Sequence, residues 1–199
     1  MTPRAMFAAC LMVTLLLGAC LTPMDDDEGY EDGDDYGELD GKADGPERLS
    51  PPCEPGAISL SACALLGTIA YAEGTGPRYD LTFAFHMFTS YADHPRIRYC
   101  SGSLCSTAAG RYQILEDTWD GIREGLSDFT PANQDQAGLR LIRGRGVSNI
   151  DGIDTLTEFR SAINKLNREW ASLPGSPYGQ PTYSMTRLWT QFKRLRGLP

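Results

Sequence analysis

Apolar positions recur at helical spacing along most of the chain beyond residue 58. Across residues 58–72, Leu65, Ile69 and Ala72 share one face while Leu60, Ala64 and Leu66 broaden it, which predicts a largely buried helix. Gly74 supplies a stop and leaves Glu73 at the carboxyl end of that helix. Trp119 and Ile122 mark a short helix, Thr130-Pro131 reads as a cap and first turn, and Thr155 with Glu158 has the spacing of a capping box. Phe159, Ile163, Leu166 and Trp170 trace an apolar stripe on one long helix, as do Met185, Leu188, Trp189, Phe192 and Leu195 on the last. Aromatic and β-branched residues across 81–91 predict a short antiparallel strand pair, with a further strand at 111–115. Several helices beside one small sheet give an α+β domain without internal repeats.

The amino-terminal quarter follows other rules. Arg4 precedes an apolar run over residues 5–17, too short to span a bilayer comfortably, and the pair reads as a secretory signal. The run ends in Leu17-Gly18-Ala19-Cys20, which resembles the bacterial lipobox; Cys20 is therefore expected to begin the mature chain and carry a diacylglyceryl group. The alternative is an ordinary signal cut after Ala19. Residues 25–48 hold twelve acidic and two basic side chains with almost nothing to form a core, which predicts a disordered, self-repelling tether. The domains expected are thus a signal peptide at 1–19, the lipidated cysteine and tether at 20–52, and a folded domain at 53–199. Such a protein sits in the cell envelope, lipid-anchored and facing the periplasm. Leu21 after the cysteine, instead of aspartate, favours the outer membrane where there are two.

The tether accounts for the acidity. The whole chain carries a net charge of −8, but the domain beyond it has fifteen basic against fourteen acidic residues, so an anionic partner would not be strongly repelled. No basic stripe points to nucleic acid, and no cofactor motif is present. Cys53, Cys63, Cys100 and Cys105 remain in an exported protein, which implies two disulfides; three pairings are possible, and proximity favours Cys53 with Cys63 and Cys100 with Cys105. A zinc site is the rival, but the spacings do not fit and the chain has only two histidines, His86 and His94. Glu73 is the residue with the clearest chemistry. Apolar surroundings and the negative end of a helix both disfavour an ionised carboxylate, raising its pKa toward the range of a general acid.

Four ordered segments carry a resemblance: Tyr71-Ala72-Glu73-Gly74-Thr75, Phe88-Thr89-Ser90-Tyr91-Ala92-Asp93-His94-Pro95-Arg96, Ser106-Thr107-Ala108-Ala109-Gly110-Arg111-Tyr112-Gln113, and Trp170-Ala171-Ser172-Leu173-Pro174-Gly175-Ser176-Pro177-Tyr178-Gly179-Gln180. From about Leu60 onward the chain resembles the lambda-phage endolysin family, lysozyme-like lytic transglycosylases. The resemblance implies a mostly helical lysozyme-like fold with a small antiparallel sheet beside an active-site cleft. It implies that Glu73 protonates the glycosidic oxygen between N-acetylmuramic acid and N-acetylglucosamine in peptidoglycan, then assists the muramic C6 hydroxyl in closing a 1,6-anhydro ring.

The substrate-binding set expected is Tyr79, Asp80, Tyr91, Tyr112, Gln113, Tyr178 and Gln180, with residues 178–180 on a mobile lip and Cys100 to Cys105 on the opposing one. Ordinary glycosidases use two carboxyl groups, so Asp80 and Asp93 are candidates for a second, although Asp93 reads more readily as a turn residue pairing with neighbouring donors. Ala84-Phe85 stands where many relatives have a Gly-Gly pair, which bears on the shape of the cleft. The partners expected are glycan strands and, through the anchor, a membrane, with the protein acting as a monomer. A hydrolytic lysozyme and a non-catalytic wall-binding lipoprotein are the alternative functions.

Overall fold

A computed structural model describes Cys53 and residues 58–199; the predicted signal peptide, Cys20 and the acidic tether lie outside the described residues. The described part contains helices α1 (Leu60–Ala72), α2 (Glu116–Ile122), α3 (Pro131–Gly144), α4 (Leu156–Leu166) and α5 (Met185–Arg196), with strands β1 (Tyr99–Ser101) and β2 (Leu104–Ser106). Among these, no helix is long and apolar enough to cross a membrane.

α1 is the central helix. Ser59 caps it by accepting a hydrogen bond from the Ala62 N–H, and residues 61–70 are all buried. Its polar residues are bonded: the Thr68 hydroxyl donates to the Ala64 carbonyl at 2.8 Å, and Arg196 Nε donates to Ser61 Oγ at 2.6 Å. Glycines let neighbours approach closely. A Cβ on Gly67 would lie 2.8 Å from Leu195 of α5, and one on Gly138 of α3 would lie 2.7 Å from Leu66. Leu65, Leu66, Ile69, Tyr112, Phe129, Ile142, Phe159 and Ile163 share the resulting core at 0% exposure. Thr155 and Glu158 form a complete capping box, and Pro131 stands in the first turn of α3, but the Thr130 hydroxyl donates to Asp128 instead of capping that helix. The long helix, however, ends at Leu166, and Trp170 belongs to the turn that follows it.

The sheet lies elsewhere than expected. Residues 81–88 form an irregular hairpin, with one bridge between Leu81 and Met87 around a 3-10 turn at Phe83–Phe85. Residues 111–115 make a turn in which Gln113 has φ 47°, so they cannot run as a strand. The two-stranded ladder is β1–β2, with Cys100 directly opposite Cys105 in register and disulfide-bonded to it. Only Gly102 and Ser103 connect the strands, and Gly102 takes the positive φ of 60° that so tight a loop requires. Strands of three residues cannot hold a hairpin by themselves in water; the disulfide supplies the closure. Cys53 is disulfide-bonded to Cys63 of α1, so both pairings follow sequence proximity.

In place of a sheet, buried side-chain amides join the central loops. Gln134 Oε1 accepts from the Arg111 N–H at 2.8 Å, while its Nε2 donates to the carbonyls of Tyr79 at 3.0 Å and Phe129 at 2.8 Å. Gly110 makes room for this: at φ 76°, a Cβ there would sit 2.3 Å from Gln134 Oε1. Gly110→Ala is expected to cost about 3 kcal/mol, from left-handed strain together with displaced amide bonds. Urea unfolding checks this against Gly121→Ala, an open helical position, where a gain of about 0.5 to 1 kcal/mol is expected.

Candidate active site

Glu73 closes α1 and is only 1% exposed. The turn behind it is a Schellman motif: the Gly74 N–H donates to the Tyr71 carbonyl and the Thr75 N–H to the Ala70 carbonyl, each at 3.1 Å, with Gly74 at φ 75°. The Thr75 hydroxyl lies 2.5 Å from the Arg111 carbonyl, which ties this turn to the middle of the chain. Because its carboxyl is removed from water, the pKa of Glu73 is pushed up to about 8, with a hydrogen bond from Ser172 opposing the shift. That bond runs from Ser172 Oγ to Glu73 Oε1 at 2.5 Å, and Oε2 has no hydrogen-bond partner among the described residues. The arrangement holds a neutral carboxylic acid near neutral pH, with one oxygen engaged and the other buried without a hydrogen-bond partner.

Ser172 was not singled out by sequence reasoning. It stands in the buried turn of residues 170–173, which is fixed when Trp170 Nε1 donates to the Tyr112 carbonyl at 3.0 Å. Its one sequence signal is a small hydroxyl inside the apolar run Trp170-Ala171-Ser172-Leu173.

The two other carboxylates are engaged differently. Asp80 is bound by both Arg78 Nε and Nη2, at 2.8 and 2.5 Å, and that hydrogen bonding lowers its pKa. Asp93 is partly desolvated, which works against ionisation, yet donors from Trp119 Nε1, the His94 N–H, Arg123 and Arg96 hold it well below the usual carboxylate range. Both are therefore charged at neutral pH, and Asp93 is a bracing residue between loop and α2. His94 is buried with Nε2 at 2.9 Å from the Ile114 carbonyl.

The residues expected to contact substrate divide in the same way. Tyr112 is 0% exposed and donates its hydroxyl to Asp135 at 2.6 Å; Tyr79, half-buried, donates to the same oxygen at 2.9 Å and accepts from Arg111 Nη1. Gln113 is buried and its amide donates to the carbonyls of Gly110 and Leu81. In this arrangement Tyr112 and Gln113 face the protein. Tyr91 is half-buried with its ring edge-on to Phe88, Tyr178 donates its hydroxyl to the Arg168 carbonyl, and Gln180 is half-buried after Gly179. No cluster of three or more His, Cys, Asp or Glu side chains able to hold a metal ion occurs among the described residues.

Comparison with known proteins agrees with this fold. The chain is 39% identical over 145 residues to the endolysin of Escherichia phage lambda, an alignment covering 67% of this chain and 90% of the relative. It is 34% identical over 156 residues to the endolysin of Escherichia phage P2, covering 68% and 93%. Among solved structures, bacteriophage lambda lysozyme complexed with a chitohexasaccharide superposes with a TM-score of 0.66 at 38% identity, covering 71% of this chain and 97% of that one. Lysozyme from bacteriophage lambda gives 0.62 at 36% identity, covering 69% and 95%. Residues 63–198 match the Endolysin family, and with relatives this similar across most of their length the chain belongs to it.

Proposed function

We propose that this protein is a peptidoglycan-cleaving enzyme that works as a lytic transglycosylase, with Glu73 as its single acid and base. The observation that carries the reading is one buried, neutral carboxyl with an unpartnered oxygen, while Asp80 and Asp93 are already committed to guanidinium groups. Glu73 gives its proton to the oxygen that leaves with N-acetylglucosamine as the bond to muramic C1 breaks. The muramic C6 hydroxyl oxygen then bonds to C1, and its proton passes to the Glu73 carboxylate, restoring the acid. No water enters, so no second carboxylate is needed to activate one; the intramolecular hydroxyl acts at high effective molarity. Ser172, bound to Oε1, orients the carboxyl for both transfers. Affinity for an amino-sugar polymer is consistent with the chitohexasaccharide complex of bacteriophage lambda lysozyme.

The site of action follows from the amino terminus. Cys20, outside the described residues, carries the lipid, and residues 20–52 tether a monomeric domain that reaches up to about 100 Å from an envelope membrane at roughly 3.3 Å per residue. Expression in a bacterial host with detergent phase separation checks this. The wild-type chain is expected in the detergent phase with an acyl-modified Cys20, and Cys20→Ser in the aqueous phase.

Mass spectrometry of muropeptides released from purified peptidoglycan tests the chemistry. Anhydro-muramic products that vanish with Glu73→Gln are expected; reducing ends would establish a hydrolase instead, and a folded chain that binds the wall without releasing products would be a binding module. Because the acid must be protonated to start the reaction, activity should decline as pH rises through about 8. The same titration affects folding. Glu73 is neutral in the folded chain up to about pH 8 but ionises near 4.5 when unfolded, so its share of stability is full below 4.5 and is lost progressively up to about 8. Glu73→Gln removes this loss. The variant is expected to exceed the wild type by on the order of 3 kcal/mol above neutral pH, with the gap closing toward pH 4.5 in urea titrations.

A further inference from the structure

Phe83, Phe88, Phe129, Phe159 and Phe192 are 8% exposed or less, whereas Phe85 is 41% exposed. Its backbone is also unusual: Ala84 and Phe85 both take left-handed φ, at 60° and 61°, in a turn that side chains with a Cβ rarely adopt. The surrounding bonds hold the turn in place. The Thr82 N–H donates to the His86 carbonyl at 2.7 Å, the Phe85 N–H to the Thr82 carbonyl at 3.0 Å, and the Phe83 N–H to the Ala108 carbonyl at 2.8 Å. Two neighbouring side chains are therefore kept in a disfavoured conformation with no burial of Phe85 to offset it. What the turn accomplishes is placement. The ring tip rests on Gly74, where a Cβ would lie 3.3 Å from Phe85 Cζ, and Gly74 is the residue directly after Glu73.

An exposed aromatic face beside a proton-donating carboxyl matches one part of a glycan well: the apolar C–H face of a pyranose ring and its N-acetyl methyl group, both of which stack on aromatic rings. We propose that Phe85 is a substrate-binding residue of the cleft, the platform on which one sugar of the glycan stacks next to Glu73, and that the left-handed turn at Ala84 and Phe85 exists to aim it. This rests on the reading of the chain as a glycan-cleaving enzyme. Asp80 and Arg78 flank the same hairpin as an ion pair, Arg78 Nη2 approaches Met87 Sδ at 2.9 Å, and His86 stacks on Tyr99. Of the hairpin's two exposed large hydrophobic side chains, Phe85 and Met87, Phe85 is the one with a flat aromatic face.

The test uses the full chain in a Glu73→Gln background, with chitohexaose titrated calorimetrically, and the active chain on solubilised peptidoglycan. Phe85→Ala is expected to weaken chitohexaose binding about tenfold and raise KM by a similar factor, with kcat changed less than about threefold. Phe85→Tyr and Phe85→Trp should restore binding, since each keeps a flat ring. Leu60→Ala, at the far end of α1, should bind as the parent does. Phe85→Gly adds a readout that a purely structural role would not give: relieved of left-handed strain, it should melt no lower than the parent while binding as weakly as Phe85→Ala. Unchanged binding by a folded Phe85→Ala, or full rescue by Phe85→Leu, overturns the stacking role and leaves the enzymatic reading intact. A wild-type chain that neither binds nor cuts glycan overturns both.

Discussion

Keeping a carboxyl group dry and neutral at the end of a helix governs the rest of this architecture. A glutamate on a surface helix would ionise near its ordinary pKa and could not donate a proton at neutral pH. Glu73 escapes that because α1 is enclosed: α3 and α5 close on it at Gly138 and Gly67, the Schellman turn at Gly74 lets the chain leave without exposing the carboxyl, and the 170–173 turn seals it from the side. Desolvation alone would push the group still higher. The Ser172 hydroxyl counters this in part and gives the acid a defined orientation.

Such a site needs its loops fixed to within fractions of an ångström, yet the described structure has only a six-residue ladder to do it. Side chains replace the missing sheet. The amides of Gln113 and Gln134, the indole N–H groups of Trp119 and Trp170, and the hydroxyls of Tyr79 and Tyr112 all reach across the chain to backbone or carboxylate partners. Several polar residues that look suited to binding sugar are therefore consumed in holding the loops around Glu73. The Cys100–Cys105 hairpin is attached in a similar way, through the ring of Tyr99 stacked on His86 at 4.1 Å.

The hairpin at residues 81–88 shows the opposite tendency. Ladder bonds to Ala108 and His86 hold Ala84 and Phe85 in left-handed geometry, an arrangement of order 1 kcal/mol or more less favourable per residue than glycine would give. Local preference and tertiary structure disagree at this turn beside the acid, as they do at Arg96 and Gln113, which also take positive φ. At the filled caps of α1, α4 and α5 the two agree.

The sequence by itself indicated the helices, the Thr155–Glu158 cap and Glu73 as the candidate acid, because each depends on residues within about four positions: the apolar stripe of α1, the glycine after it, and the Thr155–Glu158 box. It also indicated both disulfides, since their partners lie ten and five residues apart. The same local rules put strands at residues 81–91 and 111–115, where aromatic and β-branched residues are dense, whereas tertiary bonding made turns of them and a disulfide with a tight glycine loop set the ladder at Tyr99–Ser106. Only the tertiary structure decided which carboxylates are neutral and which are paired, and which tyrosines face inward. Ser172 comes to Glu73 from 99 residues away, and Asp93 meets Trp119 and Arg123 from 26 and 30 away. Burial and hydrogen bonding across such separations exist only once the chain has packed, so the distant partners of Glu73 and Asp93 cannot be read from their neighbours in sequence.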